Sequence, residues 1–416
     1  MDSYSIAIAG CGPAGLAASI LLDAQGHDVT IYDQFDEPGP VGSGLMIQPS
    51  GLSVLDQLGL AKETLKRGAR VDGLLGLEEH GKAVLDAPYS KLGVAGAFGI
   101  GIHRSSLFGI LYEEALAKGI RIETGHAVTG STLTKEGRAL TFDTREPTKP
   151  HDLIVDASGR QSVFDTSPPG HLEFGAIWAS LPTSSDDPFA GNLLEQRYRR
   201  AAQMVGVLPI GTRKGASQEE VAFFWSLKRS DFAAWQDAPL EDWKEDVCKL
   251  WPEADVLLDR ITARDQLTFA SYSHRTQNPP IRERMIAIGD AWHSASPQLG
   301  QGANMALLDA WGLARGSEHG RTLSEKLRHA VSWRHDHVWL YQWVTKLFTP
   351  LYQSDTSWHP MLRDRLMAPL SQIWPISKIQ AQLMSGLFGF PLAPLGLSVP
   401  DYEALSSEPE SRASRT

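Results

Sequence analysis

Two groups of residues in this 416-residue chain have the types and spacing to hold a phosphate-bearing cofactor. The first is Gly10-Cys11-Gly12-Pro13-Ala14-Gly15, which follows the apolar run Ser5-Ile6-Ala7-Ile8-Ala9 and opens a helical stretch over 13–25. Glycines at these positions permit a tight turn and let backbone N–H groups at a helix start approach a diphosphate closely. A second strand-like run, 29–33, ends on Asp33, placed where a carboxylate accepts hydrogen bonds from ribose hydroxyls. The other group spans 289–310. There Gly289-Asp290 closes the run Met285-Ile286-Ala287-Ile288, and a loop containing Pro297, Gly300 and Gly302 leads into an amphipathic helix. An acid at a strand end, a Pro/Gly loop and a helix start together offer a polar anchor and a row of backbone donors.

These residues need a frame that brings distant segments to one edge. Residues 1–70 read as a βαβ unit, a glycine-rich loop (38–44) and a helix over 48–58. Residues 70–86 read as two strands joined at Glu79-His80-Gly81. His103-Arg104 leads into a helix through Lys118, with strand-like stretches at 121–124 and 126–128. Residues 152–156 form an apolar strand closing on Asp156. From 171 to 271 the pattern becomes one of long alternating strands, 195–209 and 221–227 among them, then a helical interval rich in Trp and Asp. After 310 the chain is largely helical to about 390, and the polar tail 406–416 lacks periodicity. The class is α/β with an inserted α+β block. A discontinuous Rossmann-like nucleotide domain (1–70, 98–170, 282–330) carries a mostly antiparallel sheet domain (71–97, 171–281), then helices (331–400) and an unstructured end (401–416).

Composition narrows the function. A formal charge of -10 argues against nucleic acid or an anionic membrane as partner. Two cysteines, one inside the glycine loop, point away from a structural disulfide and toward a reducing, cytoplasmic setting. No metal-ligand spacing, signal peptide or integral membrane segment is evident. All twelve tryptophans follow residue 177, which reads first as core filling and second as an aromatic-lined pocket.

The combination resembles the class A flavoprotein monooxygenases, the para-hydroxybenzoate hydroxylase family. Besides Gly10-x-Gly12-x-x-Gly15 with Asp33, two further motifs carry the resemblance. Asp156-Ala157-Ser158-Gly159-Arg160-Gln161-Ser162 stands at the family's Asp-Gly motif, and Gly289-Asp290 through Asn304 is similar to its Gly-Asp-Ala-Ala-His…Pro…Gly-Gln-Gly-x-Asn. The resemblance implies FAD in the N-terminal fold. Gly12, Pro13, Ala14 and Gly15 would meet its diphosphate, and Asp33 its adenosine ribose. Arg104 would reach the diphosphate side, and the backbone of Val128 the adenine edge. Asp290 would bind the ribityl chain, while Pro297, Gly300, Gln301, Gly302, Ala303 and Asn304 would wrap the isoalloxazine. Gly10, Gly44, Gly159 and Gly289 complete the expected cofactor set.

The implied activity is hydroxylation of an aromatic or other electron-rich small molecule by molecular oxygen through a C4a-hydroperoxyflavin. NADPH or NADH would be the electron donor, and the protein a monomer or homodimer. Two departures stand out. Ser158 replaces the family's aspartate, with the acid displaced to Asp156, and Trp292 replaces a usual alanine. Ser158 leaves room for a flavin dehydrogenase or reductase without oxygen insertion. A protein-borne or carrier-tethered substrate is the other alternative, permitted by Trp339, Trp343, Phe348 and Leu351 near helical spacing, a pattern that favours buried packing. Tyr272, His274 and His103 are candidate bases, each with structural packing as the favoured role, and no catalytic residue is assigned. His293 reads as a packed, hydrogen-bonded histidine.

Overall fold

The computed structural model describes residues 3–37, 39, 42–165, 170–354, 365 and 373–407. The run 5–9 has no polar face beyond its first residue, as a strand covered on both sides requires. It forms β1 (Ser5–Ala9) inside a six-stranded sheet. The order is β17 (Ile281–Arg282), β18 (Met285–Ala287), β11 (Leu153–Asp156), β1, β2 (Asp28–Tyr32), β8 (Arg121–Glu123), parallel except at β17. Helix α1 (Pro13–Ala24) starts on proline, whose fixed φ suits a first turn. Its small residues let it lie between this sheet and α8 (Gly302–Ser317).

Register fixes the working edge of this sheet. Ala9 pairs with both Tyr32 and Asp156, and Asp156 pairs with Ala287. The strands therefore end in line, and the loops beginning at Gly10, Asp33, Ala157 and Ile288 emerge side by side. Carboxyl ends of parallel strands are where doubly wound folds bind nucleotides.

The second large layer is an eight-stranded sheet, antiparallel except for β13 with β5. Its order is β19 (His293–Ser294), β16 (Thr268–Thr276), β12 (Gly170–Pro182), β15 (Glu220–Lys228), β14 (Gln203–Gly211), β13 (Leu193–Arg199), β5 (Gly73–Glu78), β6 (Ala83–Pro88). Alternation gives it two unlike faces. Ile177, Val205, Phe223 and Trp225 pack beneath α5 (Phe232–Asp237), α6 (Leu240–Leu250) and α7 (Asp255–Leu258), burying Trp243 and Trp251. The other face carries Trp178, Phe224 and Tyr198. The Phe224 and Tyr198 rings lie over glycines. A Cβ at Gly206 would be 2.1 Å from the Phe224 ring, and one at Gly76 would be 2.8 Å from the Tyr198 ring. Most of these tryptophans are core, and Trp178 belongs to the aromatic row.

A three-stranded sheet, β3 (Gly44–Ile47), β7 (Gly99–His103) and β4 (Ala69–Val71), bridges the layers. Helices α2 (Pro49–Gln57) and α3 (Ala61–Arg67) follow β3, and α4 (Arg104–Ala117) follows β7. The long α9 (Leu323–Tyr352) and α10 (Ile376–Met384) close the far side.

Several expectations change. The single run 195–209 is a hairpin, turning at Arg200 with φ of 54° between β13 and β14. Residues 126–128 only lead into another hairpin, β9 (Val128–Leu133) with β10 (Arg138–Phe142). The end of the chain is ordered through 407: Asp401 caps α11 (Tyr402–Ser406) by accepting from the N–H groups of Glu403 and Ala404, and Tyr402 and Leu405 are buried. The remaining tail, 408–416, lies outside the described residues. Trp339 and Trp343 are exposed by 62% and 53%, because α9 turns Arg334, His337, Val338, Tyr341 and Val344 inward instead. Phe348 is half-buried and Leu351 buried. No helix of the described residues is long and apolar enough to cross a membrane.

Candidate active site

The glycine loop divides its labour. Gly10 has φ of +108°, and a Cβ there would meet the Ala157 carbonyl at 2.5 Å. Gly15 lies so close under the loop that its Cβ would be 2.1 Å from the Gly10 carbonyl oxygen. Gly12 is different: its φ is -79°, and nothing stands within 4 Å of where its Cβ would be. The open space lies at the N-terminus of α1, where Pro13, Ala14 and Gly15 begin a helix without a side-chain cap. Asp33 ties the loop in place, accepting from the Cys11 N–H at 2.7 Å and the Phe35 N–H at 3.0 Å. Each oxygen retains a lone pair for a further donor. Cys11 is buried and its thiol is pushed up to about 12 by burial and by Asp33, so it stays protonated.

The segment after β18 is held from behind. Asp309 accepts from the Gly289 N–H at 3.0 Å, His293 Nε2 lies 2.6 Å from the same carboxylate, and Arg334 Nε donates to it at 2.8 Å. Both Asp309 and Arg334 are buried, so breaking either partner would strand a charge. His293 is thus part of a structural network. Gly289, at φ +60°, packs against α1, where a Cβ on it would stand 3.0 Å from Ala14 Cβ, and so joins the two cofactor segments. Asp290 next to it has no hydrogen-bond partner among the described residues. Its side chain is reached by solvent although protein surrounds it. This enclosure pushes its pKa up, against the pull of His293, Arg104 and Arg160.

Arg104 opens α4, with its side chain lying over Gly42, 3.2 Å from the Cβ position there. His103 caps that helix through Nδ1, which accepts from the Ser105 N–H at 3.1 Å. Burial, with Arg213 and Arg104 nearby, lowers the His103 pKa to about 4. A histidine held neutral in the fold but protonated near 6.5 when unfolded contributes stability that is present above pH 6.5 and is lost as pH falls toward 4. We expect folding stability to fall across that window by up to about 3 kcal/mol, read as a lower Tm and poorer FAD retention. Ultrafiltration and melting at stepped pH will measure it, and His103→Asn should flatten the dependence while keeping a cap.

Residues at 156–162 account for the first departure. Asp156 is buried and accepts from Ser158 Oγ at 2.6 Å, the Ser158 N–H at 3.2 Å and Ser162 Oγ at 2.5 Å. The displaced acid therefore staples its own turn, and Ser158 is spent on it. Gly159, at φ +80°, faces open space. Arg160 Nη1 donates to the Ser271 carbonyl at 2.5 Å, tying this turn to β16. The second departure, Trp292, is buried in the main core.

At three expected cofactor residues the side chain, or its absence, serves packing. A Cβ at Gly44 would meet Ala222 and Ile210 at 2.6 Å, so this glycine serves the crossing of β3 over the large sheet. Asn304 is fully committed: Oδ1 accepts from the Gln48 N–H at 2.8 Å, and Nδ2 donates to the carbonyls of Met46 and Gly300 at 3.0 and 2.9 Å. Gln301 donates through Nε2 to the Met384 carbonyl at 2.8 Å. Only the backbone of these three can face a cofactor. Pro297 opens a single 3-10 turn, Gly300 is left-handed at φ +60°, and α8 begins at Gly302 and Ala303 without a side-chain cap. A Cβ at Gly302 would find no atom within 4 Å. Val128, half-buried, packs with Tyr32 and Phe142 beyond the end of β2.

Sequence reasoning missed how Tyr272 is used. Trp178 Nε1 donates to its phenolic oxygen at 2.9 Å. The Tyr272 pKa is pushed up to about 12 by burial, opposed by Trp178, Arg104 and Arg160. The same two arginines, Arg104 and Arg160, act on both Tyr272 and Asp290. His274, two residues on, keeps both ring nitrogens buried without a partner among the described residues, and burial lowers its pKa.

Two uncapped helix starts, open space at Gly12, Gly159 and Gly302, and an unpartnered Asp290 fit a long diphosphate cofactor with a polyol chain. The family model for the FAD binding domain matches residues 3–339. The chain belongs to this family. Its relatives include hispidin-3-hydroxylase of Neonothopanus nambi, 26% identical over 78% of this chain and 82% of that one. The 3-hydroxybenzoate 6-hydroxylase of Klebsiella oxytoca is 24% identical over 73% of this chain and 77% of that one. Among solved structures, the tetrameric form of 2-methyl-3-hydroxypyridine-5-carboxylic acid oxygenase superposes with a TM-score of 0.76 at 19% identity, covering 94% of this chain and 98% of that one. A single-residue variant of Klebsiella pneumoniae HpxO complexed with FAD gives a TM-score of 0.72 at 16% identity, over 93% and 100%. The flavoprotein is an FAD-dependent monooxygenase with a Rossmann-like cofactor sheet, antiparallel sheets and C-terminal helices.

Proposed function

We propose that this flavoprotein hydroxylates an electron-rich aromatic ring, drawing electrons from NADPH or NADH, and that the residues above hold its FAD. The N–H groups of Ala14 and Gly15 meet the diphosphate, with Gly12 leaving them accessible. Asp33 receives the ribose hydroxyls, Asp290 the ribityl hydroxyls, and Arg104 balances charge beside them. The backbone from Pro297 to Asn304 borders the ring system. FAD, when bound there, supplies hydride acceptance and the activation of oxygen.

What supports the substrate side is the row Tyr272, Trp178, Phe224 and Tyr198, whose Tyr272 is acted on by the same Arg104 and Arg160 as Asp290. Its rings offer π-faces to a flat substrate. Because the Tyr272 oxygen accepts from Trp178, its own O–H is free to point elsewhere, and its high pKa keeps that proton in place. It orients a substrate hydroxyl or carbonyl and holds a proton at the reacting edge. The segment 293–294 pairs with β16, so a backbone ladder links the strand of Tyr272 to the start of the flavin loop. Ser158, the departure that left room for oxidation without oxygen insertion, is explained by the staple at Asp156.

Purified FAD-loaded protein should oxidise NADPH or NADH several-fold faster when a neutral phenol is added. Absence of stimulation across a broad phenol panel with both donors would count against this reading.

A further inference from the structure

A cavity of about 220 Å³ lies between the β6–β13 side of the large sheet and the helices α9 and α10. Its walls are mainly apolar, among them Val84, Leu85, Phe348 and Leu383. Gln298 and Leu299 form its inner wall, directly after Pro297 in the loop assigned to the isoalloxazine. Tyr198 lines it as well and belongs to the aromatic cluster of Phe224 and Trp178. Tyr198 and the 297–299 turn are thus walls that the cavity shares with the aromatic cluster and the flavin loop.

No charged side chain lines it among the described residues. An ionised group placed there would lose hydration without a counter-charge, which is costly. Apolar surface gains instead, and the volume exceeds the ~150 Å³ in which an apolar protein cavity holds one benzene ring. Gln196, Gln298 and Gln380 add polar groups to the lining, and Gln380 Oε1 is buried without a hydrogen-bond partner among the described residues. A single N–H or O–H donor would satisfy it.

We propose that this cavity binds an uncharged apolar extension of the substrate, an alkyl chain or second ring of roughly six to nine carbons. The substrate class is then neutral alkyl- or aryl-substituted aromatics rather than small aromatic carboxylates. This rests on the hydroxylase reading for the position of the reacting ring.

Calorimetric binding of 4-alkylphenols, from methyl to dodecyl, to the FAD-loaded protein tests it without turnover. Affinity should rise about fourfold per methylene and then level off as the cavity fills. The corresponding chain-terminal carboxylates should bind at least about tenfold more weakly. Ile379 is a partly exposed lining residue at 42%, so it tolerates change. Ile379→Trp should flatten the series, and Ile379→Lys should narrow the gap between neutral and carboxylate chains. A flat series, no binding, or equal binding of the carboxylates overturns the pocket assignment. Oxygen insertion into 4-methylphenol is followed separately. Hydroxylation with a flat series leaves the hydroxylase reading standing, whereas a rising series without oxygen insertion supports the pocket and removes that reading.

Discussion

Gly12→Ala should weaken FAD binding by about tenfold to a hundredfold while leaving the melting of the FAD-free protein unchanged. The backbone at 12 is extended and compatible with alanine, and its Cβ would project into empty space. In the assignment made above that space belongs to the diphosphate, so the methyl group obstructs the ligand alone. Gly15→Ala should do the reverse in order of cause. Its Cβ would stand 2.1 Å from the Gly10 carbonyl oxygen, a backbone atom with nowhere to go. The FAD-free protein itself should lose about 3 kcal/mol or more, with cofactor loss as a consequence. Fluorimetric FAD titration beside calorimetric melting separates them. Equal destabilisation by both substitutions would show that Gly12 is only another turn residue.

Tyr272→Phe should reduce kcat/KM for a phenolic substrate on the order of a hundredfold, with FAD affinity nearly unchanged. The ring remains, so the aromatic row survives. What disappears is the hydroxyl that accepts from Trp178 and presents its proton to the cleft. The orphaned Trp178 N–H costs stability, about 1–3 kcal/mol, so a melting shift alone would not discriminate. The decisive readout is coupling. NADPH consumption should continue while a growing share of oxygen leaves as hydrogen peroxide, because the substrate is no longer held in register. Unchanged kcat/KM and unchanged coupling would reduce Tyr272 to a packing residue.

The cofactor half was legible in the sequence because its physics is local. Gly10, Gly12 and Gly15 are demanded by one turn, and Asp33 and Gly289-Asp290 sit at strand ends that a simple apolar pattern locates. Their convergence needed the register of β1, β2, β11 and β18. Asn304, Gln301 and Gly44 fall within or near the same motifs, yet their missing or spent side chains serve packing, and only coordinates separate those uses. Asp156 shows the same limit, since its partners Ser158 and Ser162 become meaningful once the strand is known to be buried. The substrate half was opaque for a different reason. Tyr272, Trp178, Phe224 and Tyr198 come from four strands far apart in the chain, and their shared face depends on two glycines, Gly206 and Gly76, on neighbouring strands. Strand alternation signals a buried face without saying which face meets the cofactor.

Incubating the FAD-loaded protein with NADPH, a neutral 4-alkylphenol and isotope-labelled oxygen gas, followed by product mass analysis, tests the central claim most directly. Hydroxylation predicts a product heavier by one labelled oxygen atom, formed in step with NADPH oxidation. An oxidised product carrying no label, or label arriving from water instead of the gas, would contradict it.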